Sequence, residues 1–100
     1  MNRNFLKQAQ QLQAKLAKAQ EELETQTVEA SVGGGVIKVV ATGKQTIESI
    51  AIDPSAVDPD DVEILQDMVL AAVNEALAKS QEIVQEKIGA ITGGMKLPGM

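Results

Sequence analysis

Between residues 27 and 52, apolar and polar positions alternate in three short runs, at 27–32, 36–42 and 46–52, separated by Gly33, Gly34 and Gly35 and then by Gly43, Lys44 and Gln45. Short alternating runs rich in β-branched residues and joined by turn formers predict an antiparallel meander of three strands. A two-residue period sends Val28, Ala30, Val32, Ile37, Val39, Ala41, Ile50 and Ile52 to one face. Thr27, Glu29, Ser31, Lys38, Thr42 and Glu48 fall on the other. Three strands with one bare apolar face are marginal in water, so the flanking segments must supply the cover.

Both flanks carry a helical period. From about residue 4 to 24 the chain has no Gly or Pro, and Phe5, Ala9, Leu12, Leu16, Ala19 and Leu23 recur at spacings of four and three. That is a seam of two residues per heptad, suited to a helix lying along another helix. At about 1.5 Å per residue the segment spans roughly 32 Å, more than twice the width of three strands spaced about 4.8 Å apart, so part of it overhangs the sheet. The simplest cover for that overhang is a second copy of the chain, which predicts a homodimer with Phe5, Ala9, Leu12 and Leu16 at the interface. The competing arrangement has the carboxy-terminal helix cover the seam within one chain.

The second helix is expected over about 59–88, with Asp58 as N-cap, Pro59 at N1, and Asp60 and Asp61 facing the positive helix end. Leu65, Met68, Val69, Ala72, Val73, Ala76, Leu77, Ile83 and Val84 form a stripe broad enough to touch the sheet on one side and another helix on the other. Gly89 is the expected stop. The fold class is thus α+β: helix, three-stranded antiparallel meander, long helix, assembled as a homodimer. Residues 1–92 form one domain, and 93–100 a flexible glycine-rich tail.

Composition narrows the function. The 100 residues contain no His, Cys, Trp or Tyr, and Phe5 is the one aromatic residue. Nucleophile and base pairs usually need His or Cys, and small-molecule pockets usually need aromatic walls, so neither an enzyme nor a small-molecule substrate is expected. Gly33 to Gly35 do not make a Walker loop, because no Gly-Lys-Ser/Thr follows at the required spacing. The carboxylates around Asp58 lack the glycine and the distant glutamate of a calcium loop. No metal or cofactor is expected. No run of about 18 apolar residues is present, and the first residues lack the apolar core of a secretory signal, which predicts a cytoplasmic protein without membrane insertion. The amino-terminal helix is also too narrow and alanine-rich on its apolar face to favour a lipid surface.

Net charge is −5, but its distribution is uneven. Residues 1–20 hold Arg3, Lys7, Lys15 and Lys18 and no acid, a local +4, while the other 80 residues hold five lysines and all fourteen acids, a local −9. A basic arm on an acidic body favours anionic partners at the arm, because binding follows the local field more than the total.

The order of these elements, with Gly33-Gly34-Gly35-Val36-Ile37-Lys38-Val39, Gly43, Ile50-Ala51-Ile52-Asp53-Pro54, Leu65-Gln66-Asp67-Met68, Ala71-Ala72-Val73-Asn74-Glu75-Ala76 and the closing Gly93-Gly94 and Leu97-Pro98-Gly99, resembles the YbaB/EbfC family of small bacterial nucleoid-associated proteins. The resemblance implies a homodimer with helical arms flanking a gap, double-stranded DNA as partner, a place on the nucleoid with effects on its organisation and on gene expression, and no catalytic activity. Many members have Asn-Gly at the second hairpin where this chain has Thr42-Gly43. A β-branched residue resists the positive φ of a two-residue type I′ turn, so a longer loop around Gly43, Lys44 and Gln45 is expected.

Arg3, Lys7, Lys15 and Lys18 are the expected DNA contacts. Two copies would offer eight cations, and use of six to eight gives a slope of log K against log salt of about −5 to −7. Without aromatic platforms, single-stranded DNA and RNA modes are disfavoured, and few arm side chains suit base edges, so sequence preference is expected to be modest. The alternative is a protein-interaction adaptor dimer whose acidic body recruits a basic partner and whose DNA affinity is incidental.

Overall fold

The computed structural model describes residues 3–93. Its elements in chain order are helix α1 (Arg3–Thr25), strands β1 (Thr27–Val32), β2 (Ile37–Thr42) and β3 (Ile47–Ile52), a short 3-10 turn (Pro54–Ala56) and helix α2 (Val62–Thr92). The strands form one antiparallel sheet in the order β1-β2-β3. Ala30 stands opposite Val39, Val32 opposite Ile37, and Val39 opposite Ile50. The molecule is elongated, about 70 × 26 × 16 Å.

The first hairpin turns on three successive glycines with φ of 66°, 74° and 97°, a left-handed run that L side chains resist. At the second, the loop runs from residue 43 to 46, and Gln45, with φ of 61°, takes the left-handed position in place of Gly43. The longer loop anticipated from Thr42 is therefore present. Gly43 serves a different end. It is buried, donates its N–H to the Gln26 carbonyl at 2.9 Å, and leaves no room for a side chain against Leu23. The end of α1, the start of β1 and the β2–β3 loop converge there.

The core lies between the sheet and α2. Ile37, Val39 and Ala41 of β2 are fully buried, with Ala30 of β1, against Ala72 and Ala76 of α2. Burial of Ile37 and Val39 contributes about 1.5–3 kcal/mol each. Ala72, Ala76 and Ser80, spaced four apart, bring small side chains to the sheet and let the helix axis approach closely. Ser80 is fully buried, and its hydroxyl donates to the Thr42 carbonyl at 2.6 Å.

Several sequence expectations are corrected. α2 starts at Val62, with Asp61 as its N-cap, because the Asp58 carboxylate accepts from the Asp60 N–H at 3.0 Å and the Asp58 carbonyl from the Asp61 N–H. Asp58 and Pro59 thus form a turn before the helix. At the other end α2 passes through Gly89 and stops at Thr92, with Gly93 as C-cap. The strands expected to begin at 36 and 46 begin at Ile37 and Ile47. Ile50 and Ile52, expected in the core, are 46% and 41% exposed, because α2 lies over β1 and β2 and leaves the β3 side of the apolar face open. A register shift between Val40 and Ala41 makes Glu48 a bulge residue and sets Ile47 opposite Ala41. The tail expected at 93–100 lies, beyond Gly93, outside the described residues.

Candidate nucleic-acid interface

α1 holds the four cations singled out from the sequence, and its geometry sorts them. At about 100° per residue, Arg3, Lys7 and Lys18 fall within about 60° of one another, and Lys15 lies about 60° to one side. The apolar seam of Phe5, Ala9, Leu12, Leu16, Ala19 and Leu23 is nearly opposite that cluster. All four cations are exposed. The distance along the axis from Arg3 to Lys18 is about 22 Å.

These cations differ from three of the four described lysines of the body; Lys38 is likewise exposed and forms no ion pair among the described residues. Lys44 pairs with Glu24 at 2.9 Å, Lys79 with Glu75 at 3.8 Å, and Lys87 with Glu22 at 2.7 Å. None of Arg3, Lys7, Lys15 and Lys18 forms an ion pair among the described residues. Their charge faces solvent, although that of Lys18 also acts on the Glu22 carboxylate.

The seam is covered only in part. Ala19 and Leu23 are buried, Leu12 and Leu16 half-buried, and Ala9 and Phe5 exposed, Phe5 at 65%. The carboxy-terminal end of α2 runs antiparallel to α1 and supplies the cover. Ala90 and Ile91 meet Lys15, Lys18 and Ala19 across a shallow groove of about 330 Å³. Among the described residues of α2, Ile91 alone continues into a second groove of about 400 Å³, lined by Phe5, Gln8, Ala9, Gln11, Leu12 and Lys15. Among the described residues, cover within one chain accounts for the half of the seam nearer the sheet and gives out toward Phe5.

Lys87 fastens the two helices where they leave the sheet. Its ammonium donates to the Glu22 carboxylate at 2.7 Å and to the Gln26 side-chain oxygen at 3.4 Å. The hydrogen bond from Lys87 and then its charge, with a smaller contribution from Lys18, hold the Glu22 carboxyl below the usual glutamate range. This clasp was not anticipated, since residues 65 positions apart carry no local signal.

A third groove, apolar and of about 450 Å³, was not expected from the sequence as a site. Ile52 of β3 and Leu65, Val69, Leu70 and Val73 of α2 line it. Its signal was the breadth of the α2 stripe, wider than the sheet alone requires. On the opposite edge, Lys79 donates to the Glu29 carbonyl at 2.9 Å and so occupies an outward-facing group of β1. Among the described residues, no group of three or more acidic side chains is placed to hold a metal ion, and no helix is long and apolar enough to cross a membrane.

Residues 1–95 match the model of the YbaB/EbfC DNA-binding family. A nucleoid-associated protein of Ruminiclostridium cellulolyticum is 56% identical over 98 residues, covering 97% of this chain and 85% of that one. Another, of Moorella thermoacetica, is 59% identical over 95 residues, covering 95% and 91%. The crystal structure of an uncharacterized protein from Helicobacter pylori superposes with a TM-score of 0.78, covering 93% of this chain and 99% of that one. At 18% identity that likeness speaks for the fold alone.

Proposed function

This chain belongs to the YbaB/EbfC DNA-binding family, and we propose that it binds double-stranded DNA as a homodimer, through the cations of α1, with modest sequence preference, and so affects nucleoid organisation and gene expression. The observation that carries this reading is the contrast in charge. The exposed face of α1 holds Arg3, Lys7, Lys15 and Lys18 free of ion pairs with described acids, while Lys44, Lys79 and Lys87 are tied to acids in the body. Such a face attracts phosphates, and the acidic body keeps the duplex on the arms.

Two uncovered apolar surfaces support the homodimer. One is the outer seam of α1, where Phe5 and Ala9 stand exposed and Leu12 and Leu16 are half-covered. The other is the groove between β3 and α2, flanked by Ile50 and by Leu70, the latter 60% exposed. A second copy that covers these surfaces removes them from water and doubles the arm cations to eight. Nucleoid association follows from the relatives that bear that description.

Fluorescence anisotropy of a labelled duplex at two salt concentrations tests the reading. Changing Lys7, Lys15 and Lys18 together to Gln weakens binding at least tenfold at the lower salt, and unchanged affinity refutes the arm as the contact surface.

A further inference from the structure

One face of α1 carries more than charge. Arg3, Lys7, Gln10, Gln11, Ala14 and Lys18 follow one another at steps of four, three, one, three and four, and so share a sector about 100° wide. All six are exposed, and the next residue in that sector is Glu21, the first acid of the chain. The cations stand at the two ends of the stripe. Between them along the axis stand two amides, one at each edge of the sector, and a methyl group near its centre.

That arrangement departs from what phosphate tracking alone favours. Each phosphate neutralised adds to affinity through counterion release, so a helix that only followed the backbone would gain from Lys or Arg at 10, 11 and 14 as well. A glutamine side chain instead carries a donor and an acceptor at one tip, the pair that matches N6 and N7 of adenine on the floor of the major groove. Ala14 is short enough to let the helix axis come close, and its methyl suits contact with the thymine methyl. Size agrees: a helix about 10–12 Å across fits the major groove, about 12 Å wide, and not the minor groove, about 6 Å wide.

We propose that this face of α1 lies in the major groove of duplex DNA, where Gln10 and Gln11 meet base edges at A·T pairs while Arg3, Lys7 and Lys18 hold phosphates on either side. The inference rests on the DNA-binding reading above and adds where on the duplex the helix sits and which residues read it. Two amides at one level of the helix, directed to opposite edges of the stripe, reach only one or two base pairs, so the preference is weak and short. Gln10 and Gln11 are specificity residues, and the flanking cations supply the affinity.

The test compares two pools of 20-base-pair duplexes with identical sequences, one of them carrying glucosylated 5-hydroxymethylcytosine in place of cytosine. The sugar fills the major groove and leaves the phosphate charge unchanged. Expected is binding at least tenfold weaker to the glucosylated pool. The double variant Gln10→Ala/Gln11→Ala, which keeps good helix formers at both positions, is expected to lose the preference for A·T-containing sites in a selection from random duplexes. Its slope of log K against log salt stays that of the parent. Equal binding to both pools, or a variant that retains the parent's base preference, overturns the major-groove placement while leaving DNA binding intact. Absence of binding to the unmodified pool at low salt overturns the DNA-binding reading, and this one with it.

Discussion

Gly43→Ala is the sharpest test of how the arm is set on the sheet. An added Cβ would lie 2.5 Å from the Leu23 carbonyl oxygen and 2.9 Å from Leu23 Cβ and Cδ2, where ordinary contact begins near 3.4 Å. Backbone cannot rotate away as a side-chain tip would, so the last turn of α1 must move by about 0.9 Å. Taken as a tilt about Ala19, about 6 Å along the axis, that shift displaces Lys7, about 18 Å further on, by roughly 3 Å. Overpacking of this kind costs about 1–3 kcal/mol. For a chain of this size, that is a drop in melting temperature of about 5–20 °C. Gly89→Ala makes the same chemical change inside α2, where an added Cβ meets nothing within 4 Å, and should stabilise by about 0.5–1 kcal/mol through helix propensity. Urea and thermal unfolding followed by far-ultraviolet circular dichroism suit a chain without Trp or Tyr, with all proteins at one concentration because the proposed assembly would contribute to stability. A Gly43→Ala protein that unfolds at the same urea concentration as the parent, or higher, refutes the close-approach argument.

Ser80→Ala removes the hydroxyl that donates to the Thr42 carbonyl at 2.6 Å. Because that carbonyl also accepts from the Gln45 N–H at 3.0 Å, the expected cost is only about 1 kcal/mol in urea unfolding. The Lys87–Glu22 clasp has a pH signature. The Glu22 carboxyl is lowered in the folded state, so its stabilisation is present above the unfolded-state value and is lost as pH falls through the folded one. Lys87→Met therefore lowers the urea midpoint at neutral pH, and its gap from the parent closes as pH drops below the usual carboxylate range; a constant gap contradicts the assignment. Leu70, 60% exposed beside the β3–α2 groove, gives a test of assembly. Leu70→Glu is expected to halve the sedimentation mass of the proposed dimer with an unchanged circular dichroism spectrum, and a persistent dimer rejects that groove as interface.

Much of this architecture was legible because its signals are local. Alternation over 27–52 gave the meander, and the four-three spacing from Phe5 to Leu23 gave α1 and its overhang. What stayed hidden depends on partners distant in sequence. Asp58-Pro59 has the composition of a helix start, yet the Asp58 carboxylate bonds to Asp60 and holds the chain in a turn until Val62. Gly89 has the look of a stop, but Ala90 and Ile91 pack beside α1, and that contact carries α2 on to Thr92. The exposure of Ile50 and Ile52 follows from which strands α2 crosses, a choice that the strand pattern does not contain. The cations of α1 were visible as residues, while their freedom from ion pairs required the positions of Glu22, Glu24 and Glu75.

If a basic helix is present in two copies on one duplex, the salt dependence of a single substitution measures both parts at once. The parent is expected to show a slope of log K against log salt of about −5 to −7, and Lys7→Gln to flatten it by about 2, since one change removes a phosphate contact from each arm at about 0.9 per contact. A flattening of about 1 means that one arm engages the duplex, and an unchanged slope means that Lys7 meets no phosphate; either result contradicts the account.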